Sequence, residues 1–171
     1  MIITFCGHSN CLFNNDVKEQ LKNILLDEII KNPTCKFYLG GYGDFDGLCL
    51  RTLKDLKNDF PDIELIFITP YLDKNYSKLE FAKNHYDDVI FPPLESVPRK
   101  FAILKRNEWM VDEADLVVVS PSVPLNLPYA EKAIAQGNNS SSSNAKDAAV
   151  PNGVLTYLRE IESIRNDCNR I

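Results

Sequence analysis

Three short segments of the sequence, two of them bearing glycine, carry polar or charged residues in patterns suited to a phosphorylated ligand. The first is Phe5-Cys6-Gly7-His8-Ser9. A glycine directly after an apolar run lets the backbone approach a ligand, and the amides that follow can donate to phosphate oxygens. His8 adds a side-chain donor; a tight turn with a surface histidine is the competing reading. The second segment is Gly40-Gly41-Tyr42-Gly43-Asp44-Phe45-Asp46. Its paired glycines form a cradle without side-chain obstruction. Asp46 is placed either to cap the next helix or to accept a hydrogen bond from a ribose hydroxyl. The spacing is neither that of the dinucleotide-binding fingerprint nor that of a P-loop. The third segment is Lys105-Arg106-Asn107-Glu108-Trp109-Met110. An arginine here can grip phosphate through two parallel hydrogen bonds, while an exposed charged helix face is the plainer alternative.

These segments need a scaffold that brings them to one edge, and the hydrophobic pattern supplies it. Ile2 to Cys6, Lys36 to Leu39, Glu64 to Thr69, Asp88 to Phe91 and Leu116 to Val119 read as strands. Between them lie amphipathic stretches. One begins at Val17 with Asp16 as its expected cap and carries Leu21, Ile24, Leu25, Ile29 and Ile30. The second carries Leu48, Leu50, Leu53 and Leu56, a third runs from near Lys74 to Ala82 or His85, and a fourth spans Phe101 to Glu113. Strands separated by single helices imply an α/β, Rossmann-like doubly wound, mostly parallel sheet flanked by helices. Ligands of such sheets bind at the carboxyl ends of the strands. The last fifty or so residues differ. Tyr129 to Ala135 reads as a helix ending at Gly137, residues 138–150 as a flexible Ser/Asn-rich segment around Ser140 to Ser143, and Val154 to Ile164 as a closing amphipathic helix. The expected organisation is a domain over 1–137, the flexible segment, and a C-terminal helix within 151–171 packing on the domain.

Composition is that of an ordinary globular chain of 171 residues, 44% hydrophobic and 25% charged, with a net charge of -5. That charge argues against duplex DNA or an anionic membrane as the main partner. The apolar start stops at Gly7, too short for a signal peptide or a span, so a cytoplasmic location is expected. The five cysteines lack metal or redox spacing, and buried reduced thiols are expected; Cys6, beside Gly7 and His8, is the one candidate reactive thiol. His8 and His85 are the only histidines and neither has a paired ligand at helical spacing, so no metal is expected.

Phe5-Cys6-Gly7-His8, Gly40-Gly41 with Phe45-Asp46, Pro70-Tyr71, and Arg106-Asn107 followed by Trp109-Met110-Val111-Asp112 and Asp115, taken in order over residues 1–119, resemble the SLOG superfamily, in particular its YpsA-like proteins. The resemblance implies a Rossmann-like fold that binds nucleotides or nucleotide-derived signals, in a superfamily that includes LOG-type phosphoribohydrolases. It makes Gly7, His8, Gly40, Gly41, Asp46 and Arg106 ligand contacts, with Ser9 in the same first loop. The chain departs from the pattern after Val119. Relatives carry a second glycine-rich run there, whereas this sequence reads Ser120-Pro121-Ser122-Val123-Pro124-Leu125-Asn126-Leu127-Pro128. Its prolines remove amide donors.

The leading expectation is therefore binding of a nucleotide or nucleotide-derived ligand, with no cofactor required and no catalytic residue assigned. The alternative is hydrolysis of the N-glycosidic bond of a nucleoside 5'-monophosphate, with Arg106 on the phosphate and Asp46 or Glu108 as the acid. A ligand-free interaction or structural domain is the third reading. Rossmann-like relatives often pair, which makes a homodimer a candidate assembly.

Overall fold

A computed structural model of the chain describes residues 1–7, 12–73 and 77–120, together with the backbone of 155–158. Its strands are β1 (Ile2–Cys6), β2 (Lys36–Leu39), β3 (Glu64–Ile68), β4 (Asp88–Ile90), β5 (Leu116–Val119) and β6 (Leu155–Leu158). Its helices are α1 (Asn15–Lys31), α2 (Gly43–Lys57), α3 (Ser77–His85) and α4 (Ala102–Glu113), the last entered through a 3-10 turn at Arg99–Phe101. The sheet order is β4-β3-β2-β1-β5-β6. The first five strands run parallel, as expected of an α/β Rossmann-like sheet with one helix in each crossover.

Alternation along the strands divides the core into two layers. Ile3 and Phe5, Phe37 and Leu39, Leu65, and Leu116 and Val118 face one layer, filled by Leu21, Leu25 and Ile29 of α1 and Leu48, Cys49, Leu53 and Leu56 of α2. Tyr38, Ile66 and Ile68 face the other, where Met110 and Trp109 of α4 pack on them. The Trp109 ring lies nearly parallel to Tyr38, 5.8 Å between centroids. The four residues of β5 are all buried, which explains why the strand is apolar throughout.

Two sequence expectations are corrected. Asn14, not Asp16, caps α1: its side chain accepts the Val17 amide at 2.9 Å, while Asp16 lies in the first turn. An amide oxygen one residue before the helix reaches that orphan N–H, which a side chain already inside the first turn does not do here. The closing helix over 154–164 is replaced at Leu155–Leu158 by β6, which pairs antiparallel with β5, Leu116 opposite Leu158 and Val119 opposite Leu155. The open edge of a buried parallel strand offers a full row of hydrogen-bonding groups, and pairing with it outweighs helical spacing in so short a run. The expected helix at Tyr129 to Ala135, the Ser140 to Ser143 segment and the rest of 159–171 lie outside the described residues.

Candidate functional site

After β1 the chain leaves toward β2, β3 and β4, then returns through α4 to β5 on the other side of β1. This reversal is the topological switch point of an open α/β sheet, where ligand sites form at the carboxyl ends of strands. A small cavity of about 40 Å³ lies beside it. It is lined by the end of β1 from Thr4 to Gly7, by Gly40, Tyr42 and Asp46, and by Arg106, Asn107, Met110 and Val111 of α4. Gly7, Gly40, Asp46 and Arg106, from three distant segments of the sequence, therefore meet in one place. Gly41 lines the neighbouring cavity on the α3 side. His8 and Ser9 lie outside the described residues, as does the segment that follows Ser120.

Arg106 organises the site. It is 1% exposed, and its Nη1 donates to the carbonyl of Gly40 at 2.7 Å and to that of Ile68 at 2.8 Å. One guanidinium nitrogen thus joins the carboxyl ends of β2 and β3. A Cβ on residue 40 would stand 2.5 Å from that same nitrogen, so glycine is required there by the arginine itself. Gly41 adopts φ 66°, the left-handed region that favours glycine, and a Cβ there would meet the Phe67 ring at 2.7 Å. At Gly7 a Cβ would fall 2.2 Å from Phe45 Cδ1. Gly7, Gly40 and Gly41 thus each have a packing role at the strand ends.

Asp46 sits in the first turn of α2 and reaches back, its Oδ2 accepting the Tyr42 amide at 2.9 Å. The capping role expected of it is therefore realised from inside the helix. Burial pushes its carboxyl above the ordinary range, against the opposing pull of the Tyr42 amide, Arg106 and Lys78. Burial also lowers the Lys78 ammonium, assisted by the nearby Arg106 charge and opposed by Asp46. The same burial, with Asp46 nearby, pushes the Cys6 thiol up to about 12. Cys6 is 4% exposed and, like the buried Cys35 and Cys49, a free thiol, in keeping with the expected buried thiols and not with the reactive alternative at Cys6. Glu108, the other candidate acid, is engaged by Lys105 at 2.7 Å on the outer side of α4 and does not line the cavity.

Three contributors escaped sequence reasoning. Tyr42 presents its ring to two cations, Lys78 Nζ at 3.4 Å from the centroid and the Arg106 guanidinium at 5.2 Å. Lys78, from the start of α3, also donates through Nζ to the Gly41 carbonyl. Asn107 lines the cavity beside Arg106. The aromatic Tyr42 between two glycines was the available signal, whereas Lys78 arrives through a contact 37 residues away in sequence. Among the described residues no cluster of three or more His, Cys, Asp and Glu side chains could hold a metal, and no helix is long and apolar enough to cross a membrane. No protein-family model matches the chain, and no curated protein matches it.

Proposed function

We propose that this protein binds a phosphorylated ligand of nucleotide type at the carboxyl ends of β1 and β2. The observation that carries the reading is the charge balance around Tyr42. Two cations, Arg106 and Lys78, flank its ring, and Asp46 is the carboxylate whose field both of them feel. With Asp46 ionised the trio keeps one net positive charge in a partly desolvated place, which favours an anion. The switch-point position and the resemblance to SLOG proteins support the same reading. The cavity of about 40 Å³ exceeds the roughly 10–15 Å³ one water needs. It is too small for a nucleotide, so the remainder of the ligand lies beyond it. Phosphoribohydrolase chemistry finds less support, because Glu108 is turned away and Asp46 is committed to the Tyr42 amide.

Calorimetric titration with ribose 5-phosphate, AMP, ADP, NAD and ADP-ribose tests the proposal, with release of free adenine from AMP as the control for turnover. At least one compound is expected to bind with a Kd of about 1 mM or tighter, that is, about -4 kcal/mol or better. Lys78→Met is expected to weaken that binding about tenfold, the loss of one partly desolvated charge contact. Silence from every compound at millimolar concentration, or unchanged affinity in the Lys78→Met protein, would overturn it.

A further inference from the structure

A second cavity, of about 310 Å³, adjoins the polar one and is lined by Gly41, Phe67, Ser77, Lys78, Phe81 and Tyr86. Three of the six are aromatic. Phe67 and Tyr86 form its inner wall, their rings 5.3 Å apart and tilted by 41°. Phe81 stands at its rim with 49% of its surface exposed, its ring stacked on His85 at 3.8 Å. Gly41, held at a left-handed φ, lets the Phe67 ring pack directly against the backbone at the cavity wall. Only Ala82 of α3 is fully buried, so Phe81 is not there to fill the core. The volume falls at the lower end of ligand sites, roughly 300–1,000 Å³, which are mostly apolar with a few placed polar groups. Here the polar group is Lys78, and it is shared. Lys78 is among the residues lining the aromatic cavity, and its ammonium stands over the ring of Tyr42, a residue lining the polar cavity.

We infer that the cavity beneath α3 is a subsite for a planar aromatic ring, carried by the same ligand whose anionic group lies beside Arg106 and Lys78; this rests on the phosphate site proposed above. A flat ring entering beside Phe81 packs against the exposed Phe81 ring and the half-buried Tyr86, contacts that tolerate many ring types because they read the π-face rather than hydrogen-bonding edges; Phe67, which is buried, backs Tyr86. Gly41 and Tyr42, consecutive in the chain, line one compartment each, and the Lys78 ammonium touches both, donating to the Gly41 carbonyl and standing over the Tyr42 ring. A ligand spanning them needs a ring at one end, a phosphate at the other and a short polar connection between.

Titration of ribose 5-phosphate, adenosine and AMP into the wild-type, Phe81→Ala and Phe81→Leu proteins tests this. Phe81 is half exposed, so both variants are expected to unfold at close to the wild-type temperature. Wild type is expected to bind AMP about tenfold or more tighter than ribose 5-phosphate, the gain of one stacked base. Phe81→Ala is expected to erase most of that advantage and leave ribose 5-phosphate affinity unchanged. Phe81→Leu, which keeps apolar bulk without a flat face, should lose much of it as well. Equal affinity for AMP and ribose 5-phosphate in wild type, or an advantage that survives both substitutions, overturns the inference. Binding of adenosine that depends on Phe81, with no binding of ribose 5-phosphate, would keep the aromatic subsite and overturn the phosphate site. No binding of any probe overturns both.

Discussion

A buried arginine is costly unless its donors are met, and Arg106 meets part of that demand with two strand-end carbonyls. Asp46 is the nearby carboxylate, and its environment disfavours its charged form. The folded protein therefore holds this proton more tightly than the unfolded chain does. As pH rises from the unfolded carboxylate range, near pH 4, the unfolded chain releases its proton first and folding stability falls. The full cost is present above the folded pKa. Asp46→Asn removes the titration while its side-chain oxygen still accepts the Tyr42 amide. The variant is thus expected to gain stability relative to wild type as pH rises from about 4 to about 7. Urea denaturation of both proteins at the two pH values measures the difference. A difference that shrinks with rising pH would show that attraction to Arg106 and Lys78 outweighs desolvation, and a constant one that the two cancel.

The elements were largely legible because their patterns are strong. The five parallel strands fall where apolar runs end in glycine, proline or serine, and α2 shows its buried stripe of Leu48, Leu53 and Leu56 directly. The start of α1 was less so, since Asn14, Asn15 and Asp16 are all good caps and only geometry separates them. Asn14→Ala is accordingly expected to cost about 1 kcal/mol, whereas Asp16→Asn should cost only a few tenths through the weakened helix-dipole term. Denaturant midpoints of the two variants check the assignment; a larger loss at Asp16 would reverse it. β6 was hidden for a different reason. Leu155 and Leu158 are three apart, which suits a helix face as well as a short strand, and the deciding partner, β5, lies more than thirty residues earlier. The site was legible by the same logic. Gly7, Gly40, Asp46 and Arg106 stood out in local sequence, but Lys78 joins them only through the fold, and the packing that explains each glycine involves Phe45, Arg106 and Phe67 from elsewhere.

At the scale of the whole molecule, sheet order decides both where a ligand can be held and which parts open first. β1 and β2 lie inside the sheet with partners on both sides, whereas β4 is a three-residue edge strand whose residues are at most half-buried. Opening β1 means separating it from β2 and β5 and exposing Ile3 and Phe5 from the principal core layer. Opening β4 breaks one pairing, with β3. Local opening free energies should therefore rise from the β4 edge toward β1. In native-state hydrogen exchange the slowest amides are expected at Ile3 to Phe5 and at Phe37 to Leu39, with Val89 exchanging at least about tenfold faster, a difference of about 1.4 kcal/mol. Uniform protection from β1 to β4 would mean that the sheet opens only as a unit. A graded profile would instead place the rigid floor of the site, Thr4 to Gly7 with Gly40, in the most stable part of the protein. The α3 side, which carries Lys78 and Phe81, would then be the part free to adjust to what it binds.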